Sequence, residues 1–109
     1  MIPAVLIAVV ITGCAGNDSA PRASITVEQR RAAINSAMEH LDADRITEAL
    51  AIISTLVKKD PASPQTQETY ATILIANSIK LDNIGEFAKG AECRKQALES
   101  YKAACNFSS

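Results

Sequence analysis

The chain has 109 residues, 48 % hydrophobic and 4 % aromatic, with a formal net charge of −1. This is one small domain plus a targeting segment, and acids and bases are interspersed after Asn17, which excludes the clustered basic face that nucleic acid requires. Three cysteines are too few for a disulfide framework and lack zinc-site spacing, and a single His leaves little for catalysis, so an enzyme is not expected.

Residues 1–13, MIPAVLIAVVITG, are apolar and uncharged, on the scale of a signal peptide and short of the ~20 residues a spanning helix needs. The tetrapeptide Ile11-Thr12-Gly13-Cys14 that ends this run resembles the lipobox of bacterial lipoproteins. That resemblance implies cleavage between Gly13 and Cys14 and a diacylglycerol thioether on Cys14, a lipid that palmitate would label. Two acyl chains anchor a protein stably. Residues 14–25 then form the lipidated Cys and a small, polar tether. Ala15 after the Cys, in place of an Asp resembling a retention signal, points to the outer membrane, facing the periplasm. The alternatives are an ordinary secretory signal cut after Ala15 or Ala20, or a buried apolar strand.

Residues 26–107 carry helix periodicity. Thr26 with Gln29 three residues on is a capping-box pattern, and Ile34, Ala37, Met38 and Leu41, extended back to Val27, form an apolar stripe on a first helix ending near Leu41. The turn Asp42-Ala43-Asp44 follows, with Asp44 expected as N-cap of a second helix that buries Ile46, Ala49, Leu50, Ile53, Leu56 and Val57. Lys58 and Lys59 complement its C-terminal dipole, and Pro61 stops it.

Ser63-Pro64 restarts a third helix, an N-cap Ser with Pro at the first helical position. It is expected to reach about Leu81 and is apolar on two sides, with Tyr70, Ile73, Leu74, Asn77 and Leu81 on one and Ala71, Ile75 and Ile79 on the other. It should therefore be the central, doubly packed element. Asn83 and Glu86 are spaced as a capping box for a fourth helix. On that helix Phe87, Ala91, Leu98, Tyr101 and Cys105 define the packing face, Ala88, Ala97 and Ala104 add close-approach surface, and fraying is expected after about Cys105.

The fold class is thus all-α: four antiparallel helices as two hairpins, with an up-down four-helix bundle as the alternative. The first hairpin resembles a tetratricopeptide repeat. Ala37 and Ala49 fall on the small positions, Asp44 on the turn position usually held by Gly, Ile53 and Leu56 on packing positions, and Pro61 on the terminal proline. In the second unit Gly85 fits the turn, Gly90 the small position and Ala97-Leu98 the late pair. The extra residues between units lengthen the third helix. The resemblance spans Ala33 to Lys102 and implies a right-handed stack. It also implies a groove showing Arg31, Ile34, Asn35 and Met38 from one unit and Thr72, Ile75, Ala76 and Ile79 from the next. Those apolar residues have a competing role as core.

The lone His40 has no ligand partners at metal spacing and is assigned to hairpin packing. Cys93 and Cys105, about 18 Å apart along one helix, are out of disulfide reach of each other. Lys58-Lys59, Arg94-Lys95 and Arg30-Arg31 are read as solvated charge pairs. No cofactor is expected beyond the covalent lipid on Cys14. Two units are fewer than the roughly three repeats a solenoid needs, so a partner, a homodimer or closure into a bundle is expected. The functional expectation is a membrane-tethered lipoprotein whose helical hairpins bind another envelope protein as an assembly accessory. The alternative is a soluble exported bundle that holds an apolar small molecule or lipid.

Overall fold

A computed structural model of the protein describes residues 25–108. The expected signal peptide, the cleavage site at Gly13, Cys14 and nearly all of the tether lie outside the described residues. The described chain forms four helices, α1 (Val27–Asp42), α2 (Ile46–Lys59), α3 (Pro64–Asn83) and α4 (Phe87–Ser108). None of them is long and apolar enough to cross a membrane.

Local chemistry sets the boundaries. The Thr26 hydroxyl accepts from the Gln29 N–H at 3.0 Å while the Gln29 side chain accepts from the Thr26 N–H at 2.9 Å, the reciprocal capping box that starts α1. Ser63 Oγ accepts from the Thr66 N–H at 3.2 Å, with Pro64 in the first turn, and starts α3. Between α2 and α3, the Asp60 N–H still bonds to the Leu56 carbonyl at 2.8 Å, and the chain turns through Pro61.

The two hairpin turns are one motif used twice. Asp44 has φ of 63° and Gly85 has φ of 86°. After each, the next residue's N–H reaches back in the Schellman pattern: Arg45 to the His40 carbonyl at 2.8 Å, and Glu86 to the Leu81 carbonyl at 2.8 Å. The αL residues themselves donate to the carbonyls of Leu41 (from Asp44) and Asp82 (from Gly85), both at 3.0 Å. This corrects two expectations. Asp44 closes α1 rather than capping α2, whose N-cap is Arg45 with no side-chain bond. Asn83 is the last residue of α3 rather than the start of a capping box. The backbone demand for positive φ outweighs the side-chain capping preference at both sites.

Packing is sequential. α1 lies on α2, α3 lies against both, and α4 packs along α3 while its backbone approaches neither α1 nor α2. A closed up-down bundle would bring α4 onto α1, so the arrangement is an open series of hairpins. Ala37, Ala49, Ile53, Leu56 and Ile73 form a core across α1, α2 and α3; Ala71, Leu74 and Ala97 form another between α3 and α4. Leu50 and Tyr70 pack against both clusters and join them. α3 is thus packed on two sides as expected, but the faces divide differently: Leu74 joins Ala71 in the cluster toward α4, Asn77 bonds to Cys93 there, and Ile79 is 56 % exposed.

The turn geometry yields a direct test. A Cβ at Gly85 would meet nothing within 4 Å, so Gly85→Ala carries only the αL conformational penalty. Equilibrium urea unfolding should show a loss of about 1 kcal/mol for Gly85→Ala and a gain of several tenths to about 1 kcal/mol for Asp44→Gly. Equal midpoints for all three proteins would contradict the shared motif.

Candidate interaction surface

The turns put the two hairpins in register, with Asp44 and Gly85 41 residues apart. By that offset the close crossing of α1 and α2 at Ala37 and Ala49, each 0 % exposed, corresponds to Ser78, 1 % exposed, and buried Gly90 in the crossing of α3 and α4. These positions are small because the helix axes approach closely there. A Cβ on Gly90 would collide with the Asp82 carboxylate and stand 3.1 Å from the Ser78 carbonyl oxygen.

From Gly90 the buried line of α4 continues through half-buried Cys93 and buried Ala97, Ser100 and Ala104. Steps of three and four residues keep this line on one face of the helix. It carries no large side chain. The expected packing face through Phe87, Ala91, Leu98 and Tyr101 lies roughly 100° around the helix, and it is open: Phe87 is 65 %, Leu98 54 % and Tyr101 41 % exposed. The expectation overlooked that small residues permit a closer and more continuous contact than the large ones. The signal was present in the sequence as the Gly90, Cys93, Ala97, Ser100, Ala104 repeat. Ala97 and Ala104 serve the close approach, whereas Ala88 is exposed.

The 41-residue offset also says what the open face is. Ile46, Leu50, Ile53 and Val57 of α2 correspond to Phe87, Ala91, Arg94 and Leu98 of α4. In the first hairpin Ile53 is 0 % and Ile46 8 % exposed, and Ile53 shares a core cluster with Ile73 of α3. In the second hairpin nothing among the described residues plays the part of α3. The α3–α4 face is the uncovered end of the series.

The sequence-predicted groove residues divide. Ile34 packs against the first core cluster and Ile75 against the second, both half-buried, so their main role is in the core. Met38 is half-buried, Arg31 and Asn35 are exposed, and Ile79 is 56 % exposed. Ile34 and Met38 are the 41-residue counterparts of Ile75 and Ile79. Val27, expected to extend the α1 stripe, is 56 % exposed.

One arginine from each of two charge pairs expected on solvated faces, Arg30 and Arg94, is tied into the fold, while Arg31 and Lys95 are exposed as expected. Arg30 Nε donates to Asp60 Oδ2 at 2.6 Å and Nη2 to Oδ1 at 3.3 Å, while Thr66 Oγ1 donates to Oδ2 at 3.1 Å. The hydrogen bond to Asp60 raises the Arg30 pKa above its ordinary value. The stabilisation is therefore fully present at neutral pH and is lost as pH rises through that elevated value, so the arginine adds no titration near neutrality. Arg94 Nη1 donates to Asp82 Oδ2 at 2.7 Å, bridging α3 and α4, while Asp82 Oδ1 is buried with no hydrogen-bond partner among the described residues. His40 Nδ1 accepts from Arg45 Nε at 2.9 Å, across the hairpin turn. Cys93 Sγ accepts from Asn77 Nδ2 at 3.4 Å.

An open groove of about 1000 Å³ runs along α1 and α2, with Ile25, Ala33, Ile52 and Leu56 in its lining and Lys58 and Lys59 at one end. Among the described residues no group of three His, Cys, Asp or Glu side chains is placed to hold a metal ion. No family model, curated protein or solved structure matches this chain significantly.

Removing the Asp60 carboxylate leaves Arg30 and the fully buried Thr66 without their acceptor. Asp60→Ala should lower unfolding free energy by about 1–3 kcal/mol. In a double-mutant cycle Arg30→Ala should then add little. Additive losses by urea unfolding would show that the contact carries no coupling.

Proposed function

We propose that this chain is a lipid-anchored protein of the bacterial cell envelope, tethered to the outer membrane and facing the periplasm. Its helical-hairpin domain acts as a protein–protein interaction or assembly module for another envelope protein. The observation that carries the interaction reading is the uncovered α3–α4 end. Phe87, Leu98, Tyr101 and Ile79 are exposed there, whereas their counterparts in the first hairpin are covered or half-buried. Several large apolar residues exposed on one end of a fold mark interaction sites, and aromatic residues are enriched in them.

The anchor reading rests on the resemblance of Ile11-Thr12-Gly13-Cys14 to a lipobox. Beyond Cys14 the ten residues Ala15 to Ser24 span at most about 35 Å, a reach that keeps the domain near a bilayer. Confinement at a membrane raises the effective concentration of any partner held at the same surface.

A second reading is favoured by the groove along α1 and α2. An exported, unlipidated domain could hold an apolar small molecule or lipid there. The two readings differ at the mature N-terminus: lipidated Cys14 in one, cleavage after Ala15 or Ala20 in the other.

Palmitate labelling and membrane fractionation test the anchor. The wild-type chain should take up label and sediment with membranes, and Cys14→Ser should do neither. A Cys14→Ser protein that still labels and sediments would refute the anchor.

A further inference from the structure

We infer that the uncovered α3–α4 face pairs with the same face of a second copy of this chain, the two α4 helices running antiparallel about a two-fold axis. This deepens the interaction-module reading, on which it rests, by naming a second copy as the occupant.

The stripe on α4 supplies the first argument. Phe87, Ala91, Arg94, Leu98, Tyr101 and Cys105 follow steps of four and three residues, the spacing of a coiled-coil seam. The stripe is symmetric about residue 96. In an antiparallel pair Phe87 meets position 105, Ala91 meets Tyr101, and Arg94 meets Leu98. Its one charge, Arg94, is already neutralised by Asp82 at 2.7 Å, so no unpaired cation is buried.

Charge supplies the second, independent argument. The flank next to the stripe, on the side away from α3, carries Glu92, Lys95, Glu99 and Lys102. All four are exposed, and none is in an ion pair among the described residues. Their signs invert about residue 97, within one residue of the stripe's own centre. Antiparallel pairing therefore sets Glu92 beside Lys102 of the other copy and Lys95 beside Glu99, each twice. Parallel pairing would set like against like. A largely apolar stripe whose spacing allows antiparallel register and a charged flank that is antisymmetric about nearly the same point suit an isologous contact, in which one patch complements itself. An unrelated partner would require neither.

The first hairpin supplies the third. There the equivalent face of α2 is already covered by a helix, α3, which removes Ile53 from solvent. A helix of a second copy would do the same for α4.

The test is zero-length carbodiimide cross-linking of the full chain in detergent, followed by mass mapping of the dimer band. Glu92 and Lys102 are about 15 Å apart along one helix, so an amide joining them forms only between copies. A dimer carrying that link is expected. Lys95→Glu should weaken dimerisation about tenfold by placing like charges at two contacts, and adding Glu99→Lys should restore it. Leu98→Asp, at an exposed position, should abolish the dimer without unfolding the domain, as circular dichroism would check. Absence of the Glu92–Lys102 link, a dimer indifferent to Leu98→Asp, or failure of the double charge swap to rescue would overturn self-pairing. Capture of a different envelope protein on this face in place of a dimer would overturn it too, while leaving the interaction-module reading intact. Loss of anchoring in the Cys14→Ser test would leave the dimer result untouched.

Discussion

The close approach of α3 and α4 along a line of small side chains is the constraint on which the rest of the molecule depends. Gly90 lies so near the Ser78 carbonyl and the Asp82 carboxylate that an added methyl group would displace the carboxylate and press on the carbonyl, and Ala97 and Ala104 continue the buried line of small residues. Close-packed backbones gain dispersion over a long contact without large side chains. The consequence is directional: with small residues turned inward, Phe87, Leu98 and Tyr101 are left facing outward. The exposed stripe of large apolar residues is thus a by-product of how the second hairpin is held together.

The first hairpin meets the same geometric problem with different chemistry. Ala37 and Ala49 serve the crossing, but Ile46, Ile53 and Leu56 fill the adjoining face because α3 is there to receive them. Asp60 fixes α3 in that position. Its two carboxylate oxygens bind the α1 guanidinium, and Oδ2 also accepts from the Thr66 hydroxyl of α3, so three segments converge on one side chain. The contact is largely screened from water, which makes the geometry matter more than it would in an exposed pair.

Much of the fold was legible in the sequence because it is written in local signals. The Thr26 capping box, the Ser63-Pro64 start and the Pro61 stop each act within a few residues and survived in the structure, as did the two-sided packing of α3, though with Leu74 and Asn77 turned toward α4. Two kinds of feature were not legible. Asp44 competes between a capping role and an αL role, and only the hydrogen bonds from Asp44 and Arg45 back to α1 decide it. The facing of α4 depends on which of two adjacent stripes fits α3 better, a question of complementary shape between distant segments. Hydrophobicity alone favours the large residues, whereas packing favours the small ones. For the same reason Arg30 looked solvated until Asp60, thirty residues away, was placed against it. Of the groove residues, Ile34 and Ile75 proved chiefly internal, whereas Arg31, Asn35 and Ile79 are open to solvent.

Hydroxyl-radical footprinting gives the most direct measurement of whether the α3–α4 end is a working interface. In dilute purified protein Phe87, Leu98 and Tyr101 should oxidise as exposed residues, while Ile53 and Ile73, each 0 % exposed, stay protected. In the native envelope the first three should become protected and Val27, exposed on α1, should remain reactive. Unchanged oxidation of Phe87, Leu98 and Tyr101 in the envelope would contradict the account.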